Sequence, residues 1–269
     1  MRIQIRHTTD YEYSEPVLGA VQYLRLSPRS GPSQTVNRWR VACHGAALTE
    51  WTDQFGNICH TLVLTRPRDR LALEVTGDVK TIETNGVVPV GLTALPAEVY
   101  LRETSYTTPD ARLRKFATGF RQEIRQDRVA GLHSMMLAIR NEVAYEDGET
   151  HVHTTAAEAL ADGKGVCQDH AHILISACRL LGIPARYISG YLANGDGTEE
   201  HGASHAWAEA YVPDRGWVSF DPANGVSATT AYVRTAVGLD YGDAGPVRGV
   251  RTGGGEESMN VVISMNSQQ

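Results

Sequence analysis

Apolar and polar positions alternate through the first third of the chain. Ile3 and Ile5 lie between Arg2, Gln4 and Arg6, and Val21, Tyr23, Leu24 and Leu26 lead into the turn residues Ser27-Pro28-Arg29-Ser30-Gly31-Pro32. Val36 to Cys43 carries Trp39 and Val41 on one face. Leu48 to Asp53 and Ile58 to Leu64 flank Gln54-Phe55-Gly56-Asn57, and Leu71 to Ile82 alternates again. A period of two is the mark of a strand, and short strands divided by turns predict an antiparallel β-sandwich over residues 1–95. Prolines and polar residues from Val87 to Pro109 read as a linker. The period then changes. Thr108-Pro109-Asp110 is a helix start, followed by Leu113, Phe116, Ala117 and Phe120 at helical spacing. A second helix runs from Val129 to Val143 with Leu132, Met136, Ile139 and Val143 on one side; Met135 and Met136 read as core filler. A short helix spans Ala156 to Ala161. A longer one follows, with Ala171, Leu174, Ile175, Cys178 and Leu181 as its buried stripe, stopped by Gly182 and Pro184. Strands return at Ala185–Leu192, Ser204–Val212, Trp217–Asp221 and Val261–Ile263, with Asn194–Glu200 as a hairpin turn. The pattern is α+β, divided into residues 1–95 and 96–269, the second part ending in a strand extension.

Length and charge narrow this picture. A chain of 269 residues is long for one core. The net charge of −6 gives no broad attraction to nucleic acid or acidic lipid. No stretch approaches the roughly 18 apolar residues of a membrane span, and the N-terminus alternates as a strand does rather than as a signal peptide. Cys43, Cys59, Cys167 and Cys178 are widely spaced and form no CxxC pair, so neither a disulfide framework nor a structural zinc site is expected. A reducing, cytoplasmic setting with no metal or cofactor follows as the expectation. His7, His44 and His60 are isolated in sequence and read as surface or strand-pairing residues.

Candidate chemistry begins at Cys167. It follows the glycine-flexed loop Gly163-Lys-Gly165-Val and opens a helix. The first turn of a helix has unpaired N–H groups and the positive end of the dipole, which favour thiolate and can stabilise an oxyanion. The competing reading is a small buried apolar residue, which is how Cys178 reads. His205 opens one strand of a hairpin and Asp221 closes the next, so an antiparallel pairing makes them neighbours. An imidazole beside a carboxylate is fixed in one tautomer and stabilised as imidazolium. With Cys167 on the other ring nitrogen, the set is a thiolate–imidazolium pair with an orienting acid. Asp169 and His172 lie three apart on the helix and are placed to pair, while His170 lies one turn from Cys167.

Gly165-Val-Cys167-Gln-Asp-His-Ala-His, followed by Cys178-Arg-Leu-Leu-Gly-Ile-Pro-Ala-Arg-Tyr-Ile-Ser-Gly-Tyr191, resembles the cysteine segment of the bacterial transglutaminase-like superfamily. Ser204-His205-Ala-Trp-Ala-Glu-Ala-Tyr-Val212 is similar to its histidine segment, and Gly216-Trp-Val-Ser-Phe-Asp221-Pro-Ala-Asn-Gly225 to its aspartate segment. Upstream, Leu24-Arg-Leu-Ser-Pro-Arg29 and Asp53-Gln-Phe-Gly-Asn57 resemble the β-rich N-terminal domain that accompanies this core. The resemblance implies a papain-like core, a Cys-bearing helix packed on an antiparallel sheet. It implies Cys167 as nucleophile, His205 as general base and acid, Asp221 as orienting group, and the Cys167 backbone N–H as an oxyanion donor. Tyr145 and Trp207 are candidate pocket walls; Gln168, Asp169 and His170 are candidates for supporting hydrogen bonds. The implied reaction is acyl transfer from a protein, peptide or small amide through a thioester. Water as acceptor gives a peptidase or amidase, an amine gives a protein-glutamine transglutaminase, and a binding module that merely keeps the fold is the non-enzymatic alternative. The sequence leaves oligomeric state open.

Overall fold

The computed structural model describes residues 1–89, 95–146, 148, 151–193 and 203–268. Its first sheet is built around one strand of 26 residues, β1 (Arg2–Ser27). The first half of β1 lies between β14 (Glu257–Gln268) and β5 (Arg68–Thr81); the second half lies between β13 (Val247–Gly253) and β4 (Ile58–Leu64). β2 (Gln34–Cys43) borders β5, and β3 (Ala47–Thr52) borders β4. The ladders shift register between Glu12 and Val17 and between Val17 and Gly19, where β1 bends. Leu24 and Leu62 of one half then pack into the same core as Tyr11, Leu73 and Val75 of the other. The alternation predicts two stacked sheets; the hydrogen bonds instead run through a single antiparallel sheet curled on itself. A bulge bends a strand without breaking its ladder, and alternation alone does not register the bend.

The second sheet has the order β12-β9-β10-β11-β6, with β6 (Val87–Val88), β9 (Ala185–Leu192), β10 (Ala203–Val212), β11 (Gly216–Phe220) and β12 (Tyr232–Gly238). α5 (Cys167–Leu180) packs on β9 and β10, and α1 (Ala111–Gly119), α3 (Arg128–Glu142) and α4 (Ala156–Asp162) pack around α5. Met135, Met136 and Cys178 are sealed in this core. Asp110 caps α1 by accepting from the Leu113 N–H at 2.7 Å, as its place before the apolar run requires.

Parts of the expected linker belong to the core. β6 pairs with β11, and Tyr100 is buried edge-on against Trp217. The strand extension at the C-terminus returns to β1 and completes the first sheet. The two sheets are tied directly. Ile3, Ile5 and Val79 meet Tyr191 and Val233, and Asn57 exchanges hydrogen bonds with the Val237 backbone at 2.7 and 2.8 Å. His7, expected at the surface or in strand pairing, is buried in this joint, with Nδ1 2.9 Å from the Tyr191 hydroxyl and Nε2 2.9 Å from Thr9 Oγ1. Burial disfavours its cation and pushes its pKa down to about 4, so it is a neutral strut. The turn expected at Asn194–Glu200 lies outside the described residues.

Candidate active site

Three local devices bring Cys167, His205 and Asp221 to one corner of the second sheet. The first is the turn into α5. The Val166 N–H donates to Asp169 Oδ2 at 2.9 Å, so the side chain folds back over the helix start. A Cβ on Gly165 would lie 2.7 Å from the Asp169 Cβ, which is why the loop before the cysteine needs glycine there. Cys167 is left half-buried at the first helical position, where its N–H has no partner within the helix.

The second device is the β10–β11 pair. Ala208 lies opposite Phe220, so Asp221 leaves β11 beside the part of β10 that leads back to His205. His205 Nε2 is 2.7 Å from Asp221 Oδ2. The third is the strand behind. Gly190 of β9 lies opposite His205, and a Cβ there would meet the Val233 carbonyl and the Trp207 ring at 2.1 and 2.8 Å. Its absence lets the indole lie flat across β9. Trp207 stacks near His205 with centroids 6.2 Å apart and meets Tyr232 edge-on at 5.3 Å. Trp207, expected as a pocket wall, is a buried platform beneath the imidazole.

Asp221 is fully buried and well supplied with donors. Its Oδ2 accepts from the Tyr232 hydroxyl at 2.7 Å and from Asn224 Nδ2 at 2.7 Å, and its Oδ1 accepts from the Asn224 N–H at 3.2 Å. Burial favours a neutral carboxyl, but the His205 hydrogen bond and charge outweigh it and the Asp221 pKa falls below the usual carboxylate value. Burial likewise disfavours a charged ring at His205. The hydrogen bonds to Asp221 and to Cys167 overcome it, and the pKa of His205 rises to about 9. With Nε2 turned to Asp221, Nδ1 is the ring nitrogen left for the sulfur.

Sequence reasoning missed Tyr232 and Asn224. Asn224 stands in the sequence only within Asp221-Pro-Ala-Asn-Gly225, and the strand that carries Tyr232 was not expected. Tyr187 was missed as well: it is fully buried, its hydroxyl kept neutral first by burial and then by the nearby Cys167 charge. The remaining candidates fall around the cysteine. Gln168 Nε2 donates to the Val152 carbonyl at 3.2 Å, which makes it a brace for the 151–155 segment. His170 spans two carbonyls, Val166 O at 2.9 Å and Val143 O at 3.0 Å. Tyr145, on β7 (Ala144–Tyr145), is 52% exposed and is the aromatic of this group that faces solvent. Asp169 and His172, which the helix spacing sets up as a pair, each take another partner: Asp169 the Val166 N–H, and His172 Nε2 the Tyr241 N–H at 3.1 Å. Among the described residues no group of three or more His, Cys, Asp and Glu side chains could hold a metal ion.

A half-buried thiol at a helix start, an imidazole held by a buried carboxylate, and a sheet behind them define a class, the papain-like and transglutaminase-like thiol folds. Comparison with known proteins narrows it. The model of the bacterial transglutaminase-like N-terminal region matches residues 3–80, and that of the transglutaminase-like superfamily matches residues 114–222. The uncharacterized protein ML0607 of Mycobacterium leprae is 32% identical over 284 residues, covering 98% of each chain. Rv2569c of Mycobacterium tuberculosis is 28% identical over 275 residues, covering 93% of this chain and 87% of its own. The chain belongs to the transglutaminase-like superfamily and carries its bacterial N-terminal region. A candidate cysteine protease from Cytophaga hutchinsonii has the same fold, with a TM-score of 0.79 at 23% identity over 100% of this chain and 91% of its own. Membership of this family places the chain among thiol-dependent enzymes.

Proposed function

We propose that the chain transfers acyl groups from amides through Cys167, His205 and Asp221, with water as the ordinary acceptor. The observation that carries this reading is the linked chain of contacts: carboxylate to Nε2, the remaining ring nitrogen toward the sulfur, and the sulfur half-open to solvent. A histidine whose pKa is raised to about 9 is protonated at neutral pH and balances a thiolate beside it. The thiolate attacks the amide carbon, and its electron pair forms the C–S bond while the carbonyl π pair moves onto oxygen. The Cys167 N–H at the helix start is the donor offered to that oxyanion. As the oxyanion collapses, the C–N bond breaks, and His205 gives its proton to the departing amine, leaving a thioester and a neutral imidazole. His205 then takes a proton from water, hydroxide adds to the thioester carbonyl, and collapse returns the carboxylic acid and the thiolate–imidazolium pair. Asp221 holds the ring throughout and does not itself change protonation.

An amine in place of water would make the same thioester the donor for cross-linking. Water is preferred as acceptor because it needs no binding site, whereas an amine must be held and water restrained. The test is a search by mass spectrometry for an acyl adduct after exposure to a library of peptides and small amides. Intact protein is expected to gain the acyl mass on Cys167, with free acid accumulating. Equal adduct yield from Cys167→Ala would refute the nucleophile, and an amide product in place of acid when a lysine analogue is present would transfer the reading to transamidation.

A further inference from the structure

A cavity lies in the joint between the two sheets. Its volume is about 70 Å³, several times what a single water needs. Two side chains from the first sheet's segments brace it. Gln34 Nε2 donates to the Arg29 and Arg234 carbonyls, each at 2.9 Å, and Gln34 Oε1 accepts from the Arg234 N–H at 3.0 Å. Asn57 bonds the Val237 backbone on the other side. Arg29, in the turn after β1, Arg186 of β9 and Arg234 of β12 all line the space. Among the described residues the lining holds these three cations and no carboxylate. Arg186, at 1% exposure, is the most deeply buried of the three. Its Nε and Nη2 form the edge that meets Glu209. Trp217 covers one face of the guanidinium, with the ring centroid 4.0 Å away. An aromatic ring takes that face, whereas the N–H bonds lie in the plane. Nη1, at the opposite corner of the fork, makes no hydrogen bond with the protein. Neither Glu209 nor Trp217 lines the cavity, so the polar corner of Arg186 left to face it is Nη1.

Charge at this cavity is uneven. Glu209 is shared between Arg186 and Arg234, and Arg29 Nη1 donates to the uncharged Gly56 carbonyl at 2.9 Å. Three guanidinium groups against one shared carboxylate leave two positive charges. A buried guanidinium N–H without an acceptor is also costly. We propose that the cavity binds a small tetrahedral oxyanion of the phosphate class, held by Arg29, Arg186 and Arg234. A doubly charged oxyanion balances the two charges, whereas a single carboxylate balances one. Guanidinium forks match the oxygens of such an ion. The volume suits a free ion and is too small for a peptide segment. Arg29 comes from the turn after β1, and Arg186 and Arg234 come from the second sheet, so the bound ion ties the two sheets across their joint. Only the folded chain brings the three arginines together, and binding therefore adds to stability.

The test is a titration of the full chain with inorganic phosphate at neutral pH and low salt, followed by calorimetry and by thermal unfolding. Saturable one-to-one binding is expected, with a Tm that climbs as phosphate is added. Sulfate is expected to compete, and chloride at equal ionic strength to leave the Tm where it was. Arg29 is exposed, so Arg29→Ala leaves both cores intact. It is expected to weaken phosphate binding about tenfold, and Arg29→Lys to recover most of that loss. A purely structural role for Arg29 would lower the Tm without phosphate and leave its response to phosphate unchanged. Arg186→Met is expected to abolish saturable binding; if that variant does not fold, the two Arg29 variants decide. The site is overturned by no saturable binding in the wild type, by chloride acting as strongly as phosphate, or by Arg29→Ala binding phosphate as tightly as the wild type. None of these readouts needs turnover, so they stand apart from the acyl-transfer reading.

Discussion

Strand β10 carries a buried charge cluster at each of its two ends. At one end, Glu209 lies between Arg186 and Arg234, with Arg186 Nε 2.7 Å and Arg234 Nη1 2.8 Å from its carboxylate. The Arg186 guanidinium also lies 4.0 Å above the Trp217 ring. At the other end, His205 and Asp221 form an ion pair of similar length. The first cluster is packed among β9, β10 and β12, with Arg186 and Glu209 buried and Arg234 at its partly exposed rim, and no nucleophile lies beside it. The second has one ring nitrogen turned toward a thiol that still meets solvent. Burial and charge alone therefore do not mark a reactive site. What separates a strut from a reactive site is a proton-bearing valence left over, next to a nucleophile that can be reached from outside.

This contrast can be broken from both sides. The largest expected effect belongs to the first cluster. Glu209→Ala leaves the buried Arg186 and the partly buried Arg234 without their counter-ion and is expected to cost about 3–5 kcal/mol of stability. Chemical denaturation measures it, and a loss under 1 kcal/mol would mean that the cluster is solvated and the contrast false.

Next comes Asp221→Asn, which keeps a hydrogen-bond acceptor for His205 but removes its charge. The loss should be roughly 1.5–3 kcal/mol in the transition state, or about 10- to 100-fold in kcat/KM, with a smaller change in unfolding. Its pH profile sharpens the point. His205 is raised from 6.5 to about 9, so its cation is present at neutral pH and lost as pH rises through about 9. The stability that this pairing contributes is fully present below 6.5 and disappears over the same rise. The wild-type rate should therefore fall on an alkaline limb near pH 9, and the limb should move toward 6.5 in Asp221→Asn. An unmoved limb would assign it to another group.

The smallest effect is expected from Tyr232→Phe. It removes one hydrogen bond at 2.7 Å to Asp221 Oδ2 while Asn224 still donates to the same atom. About 1 kcal/mol, or roughly fivefold in rate, is the expectation. A much larger loss would make the tyrosine, rather than the carboxylate's whole donor set, the element that fixes the acid.

Much of this was legible along the chain. Helix starts were readable because their signals are local: Asp110 and the Gly165–Cys167 turn act within four residues. The three members of the candidate triad were readable because each is a reactive residue type at the end of an element. Tyr232 and Asn224 were not, since a tyrosine in a strand and an asparagine in a turn have ordinary structural uses, and only the fold turns them onto Asp221. His7 was misread for the same reason: its partner Tyr191 is 184 residues away.

The sequence by itself determined the alternation of β1 to β5, the apolar stripe of α5, and the chemistry available at Cys167, His205 and Asp221, because these depend on neighbours within a turn or a strand. Only the tertiary structure decided that one 26-residue strand is shared by both halves of a curled sheet, that the last strands return to it, and that His170 is pinned between carbonyls 27 and 4 residues away. Those features are contacts between segments whose meeting is set by packing and by the need to pair every buried donor and acceptor, and no local pattern encodes which distant partner will be found.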